Sequence, residues 1–351
     1  MKSVAAIHTQ HGAPLAVDEI ELPDPRPDQV IVKLFSSGIC HSQLHQMHNP
    51  ATETPATLGH EGAGVVTHVG SDVTHVKEGD HAIVTWVPRT PVRGRIAGPP
   101  TGVTYREEPV SGPVYTWGRD VLTSEQLVVP IPSTAPKDLS SIVGCAVLTG
   151  AGAVMHTANV RPGDSVAIIG VGGVGISAVQ MASLLLAYPI IAIDLDDEKL
   201  AFAKRMGATH TVNASNVDPI EAVQELSGGG VDYAFDAIGL QITNEQILPM
   251  TRGGGSGADN HGGMAVLIGV PGEQMTVNPR LFFGGQRQYR GSLGATRPEA
   301  DFPMYLRWYE EGKLKLDDMI TRRYRLEDIN QACDDLQSGQ ITGRAIIEYT
   351  E

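Results

Sequence analysis

Cysteine is scarce in this chain, with three in 351 residues. Three scattered cysteines exclude a disulfide framework and point to reduced thiols in a cytoplasmic setting. Aromatic residues make up only 5%. The core must therefore rest on Val, Ile, Leu and Ala, as buried parallel strands and their covering helices do. Basic residues are outnumbered, 26 Lys and Arg against 40 Asp and Glu, giving a net charge of −14. Nucleic acid and anionic membrane surfaces are thereby excluded as main partners. The charges form no tail-like block. The opening "MKSVAAIHTQHG" lacks the apolar run of a signal peptide, and no stretch reaches the ~18 apolar residues of a membrane span.

What is present divides the chain in three. Residues 1–146 show short alternating strands ("QVIVKLF", "GAGVVTHVG", "HAIVTW", "EQLVVP") punctuated by Gly and Pro, the pattern of a barrel-like, mostly antiparallel β domain. Residues 147–293 alternate strand and helix: "SVAII", "GISAVQMASLLLA", "IIAID", "DDEKLAFAKRMG", "HTV", "DPIEAVQEL", "VDYAFDAI" and "MAVLIGV". That alternation implies an α/β fold, a doubly wound parallel sheet of the Rossmann type. Residues 294–351 carry helical stretches and a closing strand, "RAIIEY", expected to return to the β domain. The segment "RGGGSGADNHGG", 252–263, reads as a mobile loop.

"SVAIIGVGGVGISAV" places Gly170, Gly172 and Gly175 in G-x-G-x-x-G spacing after an apolar strand and before a helix. The loop, with Gly173 and Val174 between, has the context of a dinucleotide site. Gly170 suits the tight turn, Gly172 the approach of backbone to a pyrophosphate, and Gly175 the packing of helix on strand. The helix N-terminus offers free N–H groups to phosphates. Asp194 ends the next strand, where a carboxylate accepts from both ribose hydroxyls. With Asp196 and Asp197 close by, it disfavours a 2′-phosphate, so NAD is expected over NADP.

"GICHSQLHQM" crowds Cys40, His41, Ser42 and His45 together. "LGHEGAGVV" adds His60 and Glu61, and "VGCAVLTGAGAV" adds Cys145. Singly, each cysteine reads as a small core residue and His60 as a satisfied core histidine. Together, two thiolates and an imidazole suit zinc with one coordination position left open. Spacing does not establish that residues so far apart in the chain converge.

With "VKEGDHAIV" and "SGQITGRAIIEY", these motifs in this order resemble the zinc-containing medium-chain alcohol dehydrogenase family over nearly the whole chain. The resemblance implies one catalytic zinc on Cys40, His60 and Cys145, with Glu61 beside it as an occasional ligand. It implies His41 near the cofactor pyrophosphate, Ser42 hydrogen-bonded to the alcohol oxygen and His45 passing the proton to solvent. It places Thr149 and Val270 along the nicotinamide, Lys199 near the adenosine ribose and Arg344 near the pyrophosphate. The partners implied are a small alcohol or aldehyde substrate and further copies of the chain, in a homodimer or homotetramer. Trp86, Trp117 and Leu293 are candidate pocket walls. A metal-free reductase of the same superfamily and a non-catalytic nucleotide-binding protein are the competing readings. The full ligand set argues against the first, and Ser42 with His45 against the second.

Two departures from the family stand out. No cysteine lies between Cys40 and Cys145, which excludes a four-cysteine structural zinc in the lobe 88–112. Gln43 stands where the family usually carries an aspartate that orients the zinc-binding histidine. A neutral amide makes that histidine a weaker ligand. The chain is therefore expected to hold zinc less tightly than its Gln43→Asp variant, as measured by competition with a chelator.

Overall fold

The computed structural model describes residues 1–89, 102–112, 114–257, 260–272 and 274–349. Residues 90–101 of the lobe 88–112 lie outside the described residues. The chain divides into two compact units. One comprises Met1–Cys145 with Arg297–Glu310 and Leu316–Glu351, the other Ala146–Thr296 with Glu311–Lys315.

The first unit is organised around the strand Gln29–Ile39, whose sequence QVIVKLFSSGI is buried at almost every position. It pairs antiparallel with Gly62–Val69, Asp120–Ser124 and Arg344–Glu348. Two register shifts against Gly62–Val69 mark bulges, which bend a strand and increase its twist. In the same sheet His81–Val84 lies beside Gly62–Val69, and Val128–Ile131 beside His81–Val84. A second sheet runs Ala56–Thr57, Lys2–His8, Ala16–Glu21, Thr104–Tyr105, Glu108–Pro109. One apolar cluster joins Ile7, Ile20, Val30, Val32 and Leu122; another joins Ile39, Leu44, Trp117, Ile329 and Ile347. The closing strand Arg344–Glu348 places Ala345 opposite Ile39. That register brings Arg344 to the strand end from which the chain continues into Cys40. The short strand read in "EQLVVP" begins only at Val128, because Glu125–Leu127 forms a 3₁₀ turn capped by Ser124.

The second unit holds a parallel sheet in the order His210–Asn213, Ile190–Asp194, Val166–Ile169, Tyr233–Asp236, Met264–Leu267, Gln288–Gly291. This is the order 3-2-1-4-5-6 of a doubly wound dinucleotide fold. Val166–Ile169 is buried at all four positions, as a central strand covered on both faces must be. Local chemistry sets the helix ends. Asp196 accepts from the N–H groups of Glu198 and Lys199. Asp218 caps Pro219–Ser227, with Pro219 in the first turn and Gly228 left-handed at the exit. The pattern did not reveal helix Gln241–Met250, helix Pro279–Gly285 or strand Gln288–Gly291. Gln241–Met250 contains Pro249, and Gln288–Gly291 has a single strand neighbour and little burial.

The described ends of the glycine-rich segment are hydrogen-bonded to neighbouring chain. Gly254 N–H donates to Gly285 O at 2.6 Å, and Gly262 N–H to Gln286 O at 3.0 Å. Arg252 holds Asp232 at 2.5 Å and the carbonyl of His261 at 2.8 Å. Residues 258 and 259 lie outside the described ones. One helical run, Ser140–Ala158, is long and apolar enough to cross a membrane, but 89% of it is buried within the protein. Its apolar surface belongs to the core.

Gly170 has φ +84°, and a side chain at Gly175 would put its Cβ 1.8 Å from Gly170 O. Strand, turn and helix can meet so closely only without that atom. Gly175→Ala is expected to destabilise the protein by about 1–3 kcal/mol, read as a lower urea midpoint; an unchanged midpoint would mean that the loop yields freely.

Candidate active site

Cys40 caps the helix His41–His48, immediately after the buried strand Gln29–Ile39. His60 and Glu61 precede the strand Gly62–Val69. Cys145 sits in the wide turn Val143–Val147, where the helix takes π-type bonding. Such turns insert one extra residue and recur at functional sites. Thr85 Oγ1 donates to Gly144 O at 2.7 Å, tying this turn to the end of strand His81–Val84.

These elements bring the four candidate ligands together. One ligand atom from each of Cys40, His60, Glu61 and Cys145 lies within 4.8 Å of all the others. His60 Nε2 approaches Cys145 Sγ at 3.0 Å, and its Nδ1 takes a hydrogen bond from the Gln43 amide. An ion bound about 2.0–2.3 Å from nitrogen and sulfur would fit a cluster of this spread. Soft thiolates with one imidazole select zinc among the common divalent ions. Among the described residues no other such group of three or more His, Cys, Asp or Glu occurs.

The surroundings hold Glu61 firmly. Its N–H donates to Thr116 Oγ1 at 3.1 Å. Its carbonyl accepts from Gly38 N–H at 2.9 Å and Ser37 Oγ at 3.0 Å. A side chain at Gly38 would put its Cβ 2.3 Å from the Glu61 carboxyl carbon, so only glycine leaves room there. Arg344 donates to the Glu61 carboxylate, forming an ion pair with both partners buried. This pairing joins residues 283 positions apart, and no local signal announced it. Arg344, expected beside a pyrophosphate, thus already has a carboxylate partner; its Nε has none among the described residues.

Charge is shared unevenly here. The hydrogen bond from Cys145, reinforced by His60, draws the Cys40 thiol well below its usual range despite burial. The same contact with Cys40, together with burial, pushes Cys145 well up. Burial alone would lower the His60 imidazole, but its hydrogen bond and charge contact with Cys40 raise it. Burial lifts Glu61 to about 7 against the pull of Arg344. Cys40 is therefore the more acidic of the pair, and a thiol that takes up a cation gives up its proton.

Ser42 Oγ is buried without a hydrogen-bond partner among the described residues. His45, three residues on along the same helix, is exposed. Residues three apart share a helix face. His41 is exposed on the first turn. Trp117 is spent in the core, 1% exposed with its indole N–H on Gly38 O at 3.1 Å, and does not serve as a pocket wall. Trp86 is half-buried with its indole N–H unpartnered among the described residues.

In the second unit Gly172 caps the helix Gly173–Leu184, which opens with Gly173, Val174 and Gly175. No side chain occupies the cap, so its first N–H groups remain available to an anion. Space around Gly172 is open: an added Cβ would meet nothing within 4 Å. Asp194 accepts from Val171 N–H at 3.0 Å and Leu195 N–H at 2.8 Å, which fixes its carboxylate beside the loop. Thr149 Oγ1 is buried and unpartnered among the described residues, Lys199 is half-buried, and Val270 and Leu293 are exposed.

Comparisons with known proteins agree with this geometry. Residues 26–133 match the family described as alcohol dehydrogenase GroES-like domain, and residues 173–311 the family described as zinc-binding dehydrogenase. The S-(hydroxymethyl)glutathione dehydrogenase of Saccharomyces cerevisiae is 32% identical, over 97% of this chain and 94% of that one. The alcohol dehydrogenase class-3 of Cereibacter sphaeroides is 33% identical over 97% and 98%. Among solved structures, an alcohol dehydrogenase zinc-binding domain protein from Burkholderia ambifaria superposes with a TM-score of 0.91 at 30% identity, covering both chains fully. Benzyl alcohol dehydrogenase from Acinetobacter calcoaceticus gives 0.89 at 27%, again over both full chains. A GroES-like unit with a thiolate–imidazole centre and a parallel-sheet unit define a zinc-dependent oxidoreductase acting on alcohols. The chain belongs to the zinc-containing medium-chain alcohol dehydrogenase family.

Removing one partner of a buried ion pair strands the other. Arg344→Met is expected to cost about 3–5 kcal/mol, and Glu61→Gln in that background to recover most of it. Without the guanidinium, folded Glu61 holds its proton to higher pH than an unfolded glutamate does. The folded state then binds more protons, so stability falls as pH rises. Urea unfolding at about pH 6 and about pH 8 should show the larger Arg344→Met penalty at the higher pH.

Proposed function

We propose that the protein oxidises small alcohols to aldehydes or ketones with NAD as the hydride acceptor, and catalyses the reverse reduction. The observation that carries this reading is the convergence of Cys40, His60 and Cys145 on one point, with Cys145 buried and the other two half-buried. When bound, zinc supplies a Lewis acid that favours loss of the hydroxyl proton, and NAD supplies the acceptor for the hydride.

The chain's own residues then have defined tasks. Cys40, His60 and Cys145 hold the ion, and Glu61 stands by as an exchangeable fourth ligand. Ser42 Oγ takes the hydrogen bond of the substrate hydroxyl. His45 delivers the departing proton to solvent, since an imidazole can both accept and donate one. Thr149 and Val270 border the nicotinamide, Lys199 the adenosine ribose, and His41 and Arg344 the pyrophosphate. The backbone N–H groups at Gly172, Gly173, Val174 and Gly175 receive the phosphates. Asp194 accepts from the ribose hydroxyls and repels a 2′-phosphate, which makes NAD the expected cofactor. We assign a homodimer or homotetramer in the cytoplasm.

The test is formation of NADH or NADPH across a panel of primary, secondary and aromatic alcohols. Benzyl alcohol and S-(hydroxymethyl)glutathione belong in it because relatives are named for them. Turnover with NAD should exceed that with NADP and disappear with a chelator. Ser42→Ala should lower kcat by about 100-fold or more while zinc content stays at one ion per chain. Undiminished turnover by the chelated protein would end this reading.

A further inference from the structure

Gln43 packs against the candidate ligand His60, and its side chain carries both donors and acceptors. It lies on the helix His41–His48, 1% exposed, and its backbone N–H donates to Cys40 O at 3.1 Å. Its amide nitrogen faces His60 Nδ1. Its other end, Oε1, is buried with no partner among the described residues. On the far side of the ring, His60 Nε2 points at Cys145 Sγ, 3.0 Å away.

A neutral imidazole carries one N–H and one lone pair. If Nε2 carries the hydrogen, it donates to sulfur, and Nδ1 must accept. If Nε2 gives its lone pair to a cation, Nδ1 carries the hydrogen and must donate. A carboxylate at position 43 accepts only, and so meets the second demand alone. An amide offers two donors on one end and two lone pairs on the other. Because nothing described holds Oε1, turning the amide end for end breaks no hydrogen bond there.

We propose that Gln43 is a positioning residue whose amide reverses with the His60 tautomer. It donates to Nδ1 while Nε2–H faces the thiols, and accepts from Nδ1–H when Nε2 binds the metal. The protein thereby satisfies His60 without an ion as well as with one, and releases and reacquires zinc more readily than an acceptor-only residue would allow. The inference rests on the metal role assigned to Cys40, His60 and Cys145.

The test compares the wild-type protein and Gln43→Glu, which keeps the stem and removes the donor end, each chelated and each reloaded with zinc. Nitrogen-15 NMR of the imidazoles reads the tautomer of His60, and zinc transfer to a chromophoric chelator reads affinity and release. In the wild type the hydrogen should sit on Nε2 without zinc and move to Nδ1 with it. In Gln43→Glu it should sit on Nδ1 in both states, with zinc held about 10–100-fold more tightly. An Nδ1–H tautomer in the chelated wild type would overturn the proposal whatever the variant does. Zinc affinity within twofold between the two proteins would overturn it as well. A wild type that takes up no zinc at all would instead remove the metal assignment, and this inference with it.

Discussion

Charged groups taken out of water must be matched, and around Cys40 this protein gathers several at once. Two sulfurs, an imidazole, the carboxylate of Glu61 and the guanidinium of Arg344 share one largely buried region, with Cys40 and His60 half-buried at its edge. Unpaired, each would neutralise itself or open the fold. The pair Glu61–Arg344 meets this demand within the protein. The thiols and imidazole meet it partly among themselves, with Cys40 as the acidic member, and more fully with a divalent cation.

The architecture of the first unit follows from holding that group of charges in place. The strand Gln29–Ile39 is buried along nearly its whole length and ends at Cys40. Its antiparallel neighbour Arg344–Glu348, from the far end of the chain, sets Arg344 level with that point. Gly38 keeps the strand free of a side chain where Glu61 packs. Ser37 and Thr116, hydrogen-bonded to each other at 2.8 Å, fix the Glu61 backbone. The π turn at Val143–Val147 brings in Cys145. On the helix that follows Cys40, Ser42 has a buried hydroxyl with no partner among the described residues, and His45 is exposed.

The second unit meets a different constraint, the close packing of strand, turn and helix around a glycine loop. Its parallel sheet ends in a glycine turn whose closest atoms would collide with any side chain at Gly175. Asp194 is locked by three backbone N–H groups, those of Val171, Leu195 and Asp196. The carboxylate is pre-oriented, so it would lose little conformational entropy to any ligand that donates to it.

Much of this was legible in the residues themselves. The strand–helix alternation of 147–293 and the glycine loop with Asp194 are local patterns, because backbone geometry within a few residues dictates them. Cys40, His60 and Cys145 could be nominated by residue type and by resemblance to the family. Their convergence on one point could not, since it depends on strand pairing across the chain. Trp117 carried no mark of being core rather than pocket wall. The polar edge strand Gln288–Gly291 gave little pattern, because an edge needs little burial. Above all, the Glu61–Arg344 pair and the unpartnered end of Gln43 exist only once the final strand and the Cys40 helix are docked. Local sequence determines which conformations and ligands are possible. Which charges face each other across a dry interior is decided by tertiary packing, because that is where water is removed.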